Sequence, residues 1–98
     1  MENCNLNFGQ AIELMKKGAK VAREGWNGKG MYIFIQEGTV ITKDKARNKI
    51  LSDIEGDIKI NSHIDMKAAD GSIVIGWLAS QTDILAEDWV IVTNENEL

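Results

Sequence analysis

Three tryptophans carry the strongest chemical signal in this chain, because each lies in a short run of small and polar residues. Trp26 sits in Arg23-Glu24-Gly25-Trp26-Asn27-Gly28-Lys29-Gly30, Trp77 in Gly76-Trp77-Leu78-Ala79-Ser80-Gln81-Thr82-Asp83, and Trp89 closes Ala86-Glu87-Asp88-Trp89. Glycines beside an indole give it no side chain to pack on and favour turns. An indole so placed offers a flat face to a ligand, with open backbone N–H groups for the ligand's polar atoms. The pattern points to binding a planar, polar small molecule and away from catalysis. Stacking of a purine-like ring on such a face contributes roughly 1–3 kcal/mol. Phe8 adds a further ring at the start of the first helix. Asn27, Ser80, Gln81 and Thr82 can serve hydroxyls or base edges, and Arg23 and Lys29 can meet phosphates. The competing reading puts the same indoles in the core or between subunits. For Trp89, in a strand-like run with Val90 and Val92, core is the expected place.

Catalytic chemistry finds less support. His63 is the sole histidine, and Asp65, two residues on, shares its strand face. No serine or cysteine stands out as a nucleophile beside it, so a surface or hydrogen-bonded strand histidine is expected. Asp83, Glu87 and Asp88 make a weak metal set, better read as capping and surface charge, and no metal or cofactor is expected. Gly25, Gly28 and Gly30 lack the spacing of a dinucleotide fingerprint, and a strand follows them where a helix would be needed.

The elements that must position these residues are short. Asn7 caps a helix with Gln10 in the manner of a capping box, Phe8, Ala11, Ile12 and Met15 form its apolar face, and Gly18 stops it. Lys20–Arg23 and Met31–Ile35 read as two strands of a hairpin with a wide loop. Residues 36–62 admit two readings: Ala46, Ile50 and Ile54 suit a helix, while Ile58-Lys59-Ile60 alternates as a strand that could pair back through Glu55-Gly56-Asp57. His63–Ala68 and Ser72–Ile75 flank Asp70-Gly71, a hairpin signal. Thr82 or Asp83 is expected to cap one turn through Ala86, Trp89–Val92 is a closing strand, and residues 94–98 form a polar tail. The sum is a single α+β domain, an N-terminal helix packed on a mainly antiparallel sheet.

Composition narrows the partners. With 98 residues there is room for one modest core, to which oligomerisation would add stability. The net charge of −4 conceals a gradient: residues 1–35 are net +2, residues 36–62 are neutral and residues 63–98 are net −6. Duplex DNA binding needs a strongly basic face and is not expected, whereas a small anion could be drawn to the N-terminal third. The opposed charges could also favour contact between subunits. No apolar run spans a bilayer, no signal peptide is evident, and the lone Cys4 fits a reducing compartment, so a cytoplasmic protein with no membrane partner is expected.

Three blocks together carry a family resemblance: Asn7-Phe8-Gly9-Gln10-Ala11-Ile12, Val21 through Met31, and Gly76 through Trp89. They resemble a family of small phage and prophage proteins that includes the second type of Thoeris anti-defence protein. The resemblance covers residues 6–35 and 63–92. It implies a molecular sponge that sequesters, without degrading, a glycocyclic ADP-ribose signal made by a TIR-domain enzyme. It further implies homotetramers with ligand pockets at subunit interfaces, and in some members a separate site for cyclic dinucleotides. Residue by residue it assigns stacking to Phe8, Trp26 and Trp77, and hydrogen bonding to Asn27, Ser80, Thr82 and Asp83. Two departures stand out. This chain has no proline beside its Gly-Trp pair, and residues 36–62 match the shared pattern poorly and are read as a member-specific insertion.

Overall fold

The computed structural model describes residues 4–46 and 48–93. The first helix, α1 (Phe8–Lys16), forms where its caps dictate: Asn7 Oδ1 accepts from the Gln10 N–H at 2.8 Å while Gln10 Oε1 accepts from the Asn7 N–H at 2.8 Å. Its apolar face drops Ala11 and Met15 into the core. Seven strands follow, β1 (Lys20–Arg23), β2 (Tyr32–Gln36), β3 (Thr39–Ile41), β4 (Ile58–Ile60), β5 (His63–Lys67), β6 (Ile73–Ile75) and β7 (Trp89–Val92). Two short helices, α2 (Lys49–Ser52) and α3 (Gln81–Leu85), interrupt them.

Five strands make one sheet in the order β6-β5-β2-β1-β7, every neighbouring pair antiparallel. Alternation sorts their side chains onto two faces. Val21, Ile33, Met66 and Trp89 point toward α1 and pack with Leu6, Ala11 and Met15. Ala22, Tyr32, Val90 and Val92 form a smaller cluster on the other face. The fold is the expected α+β domain, although helices also occur later in the chain.

Residues 36–62 resolve into neither of the two simple readings. The helical pattern yields only the single turn α2, whose Ile50 stays 75% exposed. β4 does form, but it pairs with β3 (Thr39↔Ile60, Ile41↔Ile58) and not back through Glu55-Gly56-Asp57. The two strands make a separate ribbon. Gly38 sits at its base, where a Cβ would stand 2.3 Å from the Ile60 carbonyl oxygen, so the strands meet this closely only with glycine there. The Cα radius of gyration is 15.8 Å. A compact chain of this length has about 13 Å, and the difference fits an arm standing apart from the sheet. The expected tail, 94–98, lies outside the described residues.

Candidate functional site

The aromatic residues do come together, at one end of the sheet. Trp89 is fully buried and acts as the floor. Phe8 packs on one side of it, with ring centroids 5.1 Å apart, and Trp26 meets it edge-on at 5.4 Å. Trp77 in turn meets Trp26 edge-on at 6.1 Å. Phe8, Trp26 and Trp77 are all half-buried, leaning on the core with part of each ring reaching solvent. The row Phe8–Trp89–Trp26–Trp77 is therefore core at Trp89 and part surface at its other three members. Trp89 takes the core position expected of it.

A polar hub locks this row. Asp83 Oδ1 accepts from Arg23 Nη1 at 2.9 Å and from Trp26 Nε1 at 3.3 Å, while the Asp83 backbone carbonyl accepts from Trp89 Nε1 at 3.0 Å. Asp83 also closes a capping box on α3, in which Ser80 Oγ accepts from the Asp83 N–H at 3.1 Å. The cap is thus Ser80. Thr82 and Asp83 lie inside the helix, a correction that follows from Ser80 keeping extended backbone (φ −73°, ψ 167°), as an N-cap does.

Asp88 completes the hub, accepting from Arg23 Nε at 2.8 Å and Nη2 at 3.3 Å and from the Gly25 N–H at 2.9 Å. Three of the five Arg23 N–H donors are thereby engaged within the chain. Hydrogen bonds to Asp88 and then Asp83 raise the guanidinium's pKa, so it stays charged. The Asp88 carboxyl is held below its usual range, mainly by the Arg23 hydrogen bond and against the cost of burial. For Asp83, burial is the largest influence and pushes upward. Hydrogen bonds from Arg23, Ser80 and Trp26 outweigh it, and the carboxyl sits low.

The remaining site residues are exposed. Asn27 and Lys29 lie in the loop between β1 and β2, Ser80 is the N-cap of α3 and Thr82 lies in its first turn. Lys29 has no part in the hub, whereas Arg23 and Asp83 are its pillars. Sequence reasoning missed Asp88, assigned only to capping and surface charge, because its partner lies 65 residues away. The opposed charges of the two ends, read as favouring subunit contact, are in part spent on this pairing inside one chain.

Two recesses lie away from the indoles. One of about 490 Å³ lies against the arm, lined by Glu37–Val40 and Lys59–Ser62. Another, of about 190 Å³, lies beside Lys20, Tyr32 and Phe34. Among the described residues no group of three or more His, Cys, Asp or Glu side chains could hold a metal ion, and no helix is long and apolar enough to cross a membrane.

Residues 6–92 match the Thoeris anti-defense 2-like domain, a span that takes in α1, the arm, the indole row and the hub. The chain is 40% identical over 91 residues to Thoeris anti-defense 2 of Bacillus phage SP01, covering 90% of this chain and 96% of that protein. With a match of that extent, the chain belongs to the Thoeris anti-defense 2-like family.

Proposed function

We propose that the protein is an anti-defence sponge. It binds glycocyclic ADP-ribose, the signal made by a TIR-domain enzyme, and holds it without degrading it, so that the Thoeris effector is never switched on. The observation that carries this reading is the half-buried Trp26–Trp77 pair beside the exposed Ser80, Thr82 and Asn27, in a chain of this family. Purine rings stack on such indoles, hydroxyls reach the loop side chains, and Lys29 with the two spare Arg23 donors can face the diphosphate. A cyclic ligand is already constrained and loses less conformational entropy on capture.

The pocket needs a second subunit, and the protein works as a homotetramer. Two observations support this. The indoles stand at an open surface in one chain, and the sheet edge at β6 exposes Ile73, Val74 and Ile75 with Leu78 (90% exposed) and Leu85 (75%) nearby in sequence. An unpaired apolar edge is a template for another copy. A cyclic dinucleotide at a separate site is the second reading. It is favoured by the recess on the far sheet face, where Lys20 and Lys67 place their ammonium groups 4.9 Å and 5.5 Å from the Tyr32 ring centroid.

Calorimetric titration with 1″–3′ glycocyclic ADP-ribose, then denaturation and chromatography of the released ligand, tests the proposal. Tight binding with intact ligand recovered is expected, and Trp26→Ala and Trp77→Ala should each remove it while leaving the fold in place. Normal binding by both variants would dismiss the stacking site, and recovery of a cleaved product would make the protein an enzyme. A preference for cyclic dinucleotides would transfer the function to the Tyr32 face.

A further inference from the structure

Asp65 is fully buried and belongs to neither the indole row nor its polar hub. A buried carboxylate is costly unless hydrogen bonds surround it. Here two donors and a ring nitrogen meet it from three separate places. Gln36 Nε2 donates to Oδ2 at 2.6 Å, the Gly76 N–H donates to Oδ1 at 3.1 Å, and His63 Nε2 approaches Oδ1 at 3.2 Å.

Those partners are not scattered at random along the chain. Gln36 is the last residue of β2 before the arm, and His63 is the first residue of β5 after it. They lie opposite each other in the register of the sheet, their side chains 3.3 Å apart. His63 Nδ1 lies 2.8 Å from the Asn61 carbonyl, which can only accept, so this nitrogen donates and fixes the ring at the arm's root. In the neutral ring Nε2 then accepts from Gln36 Nε2, and only the imidazolium donates to Asp65 as well. The third partner, Gly76, immediately precedes Trp77. Its φ of +84° is open to glycine and strained for other residues, and it turns the chain out of β6. The next amide, Trp77 N–H, donates to the Ile64 carbonyl at 2.8 Å. Two consecutive amides are thus anchored to β5, one on backbone and one on the Asp65 side chain.

We propose that Asp65 is a positioning residue for the indole site: one carboxylate clasps both roots of the 37–62 arm and the turn that aims Trp77. The arm and the indole are thereby coupled, so that a displacement of the arm's roots is transmitted to the ring. This rests on Trp77 serving as a binding face.

The test uses the full chain labelled with 5-fluorotryptophan, its three fluorine resonances assigned by single Trp→Phe substitutions. Asp65→Ala should shift or broaden the Trp77 resonance and leave the buried Trp89 resonance in place, and Asp65→Asn, which keeps one acceptor for Gly76, should restore much of the wild-type spectrum. Titration with glycocyclic ADP-ribose should weaken tenfold or more in Asp65→Ala. The double variant Gln36→Ala/His63→Ala keeps Asp65 and changes only partly exposed side chains. It should also move the Trp77 resonance, and so carries the test even where Asp65→Ala fails to fold. An unmoved Trp77 resonance in the double variant would overturn the coupling. In a folded Asp65→Ala, an unmoved Trp77 resonance, or Trp77 and Trp89 shifting together, would overturn the positioning role. The spectra need no ligand, so they judge Asp65 separately from whether the wild-type protein binds glycocyclic ADP-ribose.

Discussion

The sheet end that holds Trp89 and the arm that holds β3 and β4 obey opposite rules. Around Trp89, the ion pairs join distant parts of the chain: Arg23 on β1 meets Asp83 of α3 and Asp88 on the approach to β7. In the arm the contacts are local, with Thr42 bonded to Asp44, Asn48 capping α2, and β3 paired only with β4. Large apolar side chains there, Val40, Ile50 and Ile54, remain exposed. A two-stranded ribbon is marginal in water, so the arm draws stability from its roots at Gln36 and His63, whereas the Trp89 end supplies its own. Rigidity is concentrated where the indoles must be aimed, and adaptable surface is left where a partner or ligand can shape it.

Four measurements would break or sharpen that contrast. The largest effect should come from Trp89→Ala, which removes a fully buried ring touching Phe8 and Trp26. A loss of about 3–5 kcal/mol in urea unfolding is expected, enough to unfold a domain this small. A loss under about 1 kcal/mol would deny this end its role as the anchor.

Next is Arg23→Met, which leaves Asp83 and Asp88 without their cation. Charge-assisted hydrogen bonds of this kind contribute about 2 kcal/mol each, and the thermal midpoint should fall by several degrees. The pH dependence gives a sharper readout. Both carboxyls are held low in the folded protein, so the stability they contribute is present above about pH 4 and is lost as the pH falls below it. Wild type should lose stability in that acid range more steeply than Arg23→Met, and parallel curves would show that the hub is not what sets the acid limit.

Trp77→Ala should lower stability by only about 1–2 kcal/mol, since its ring is half-exposed, while capture of glycocyclic ADP-ribose disappears. A reversal, with stability lost first and binding kept, would turn Trp77 into a core residue. The smallest effect belongs to Val40→Ser in the arm, expected within about 0.5 kcal/mol in the same unfolding assay. A cost above about 2 kcal/mol would mean that the arm is packed as tightly as the sheet.

The capping box at Asn7 and Gln10, the five sheet strands, the Asp70-Gly71 hairpin and the core position of Trp89 were all legible in the sequence. Each is written in residues within a few positions of one another, where period and turn chemistry act directly on the backbone. The resemblance of the blocks at 7–12, 21–31 and 76–89 also pointed to the family that the comparisons establish. Residues 36–62 stayed ambiguous because Ile50 and Ile54 mimic a helix face, yet no apolar surface in the fold receives them. Local pattern proposes an element, and burial decides whether it lengthens.

What only the tertiary structure decided is which side chains spend their charge on one another. Arg23, read as a phosphate ligand, is held by Asp83 and Asp88 from 60 and 65 residues away. Asp65, read only as the neighbour of a strand histidine, accepts from Gln36 at one root of the arm and from the Gly76 amide in the turn before Trp77. Such pairings follow from strand order and register, which a carboxylate and a guanidinium feel only once the sheet has brought them within hydrogen-bonding distance.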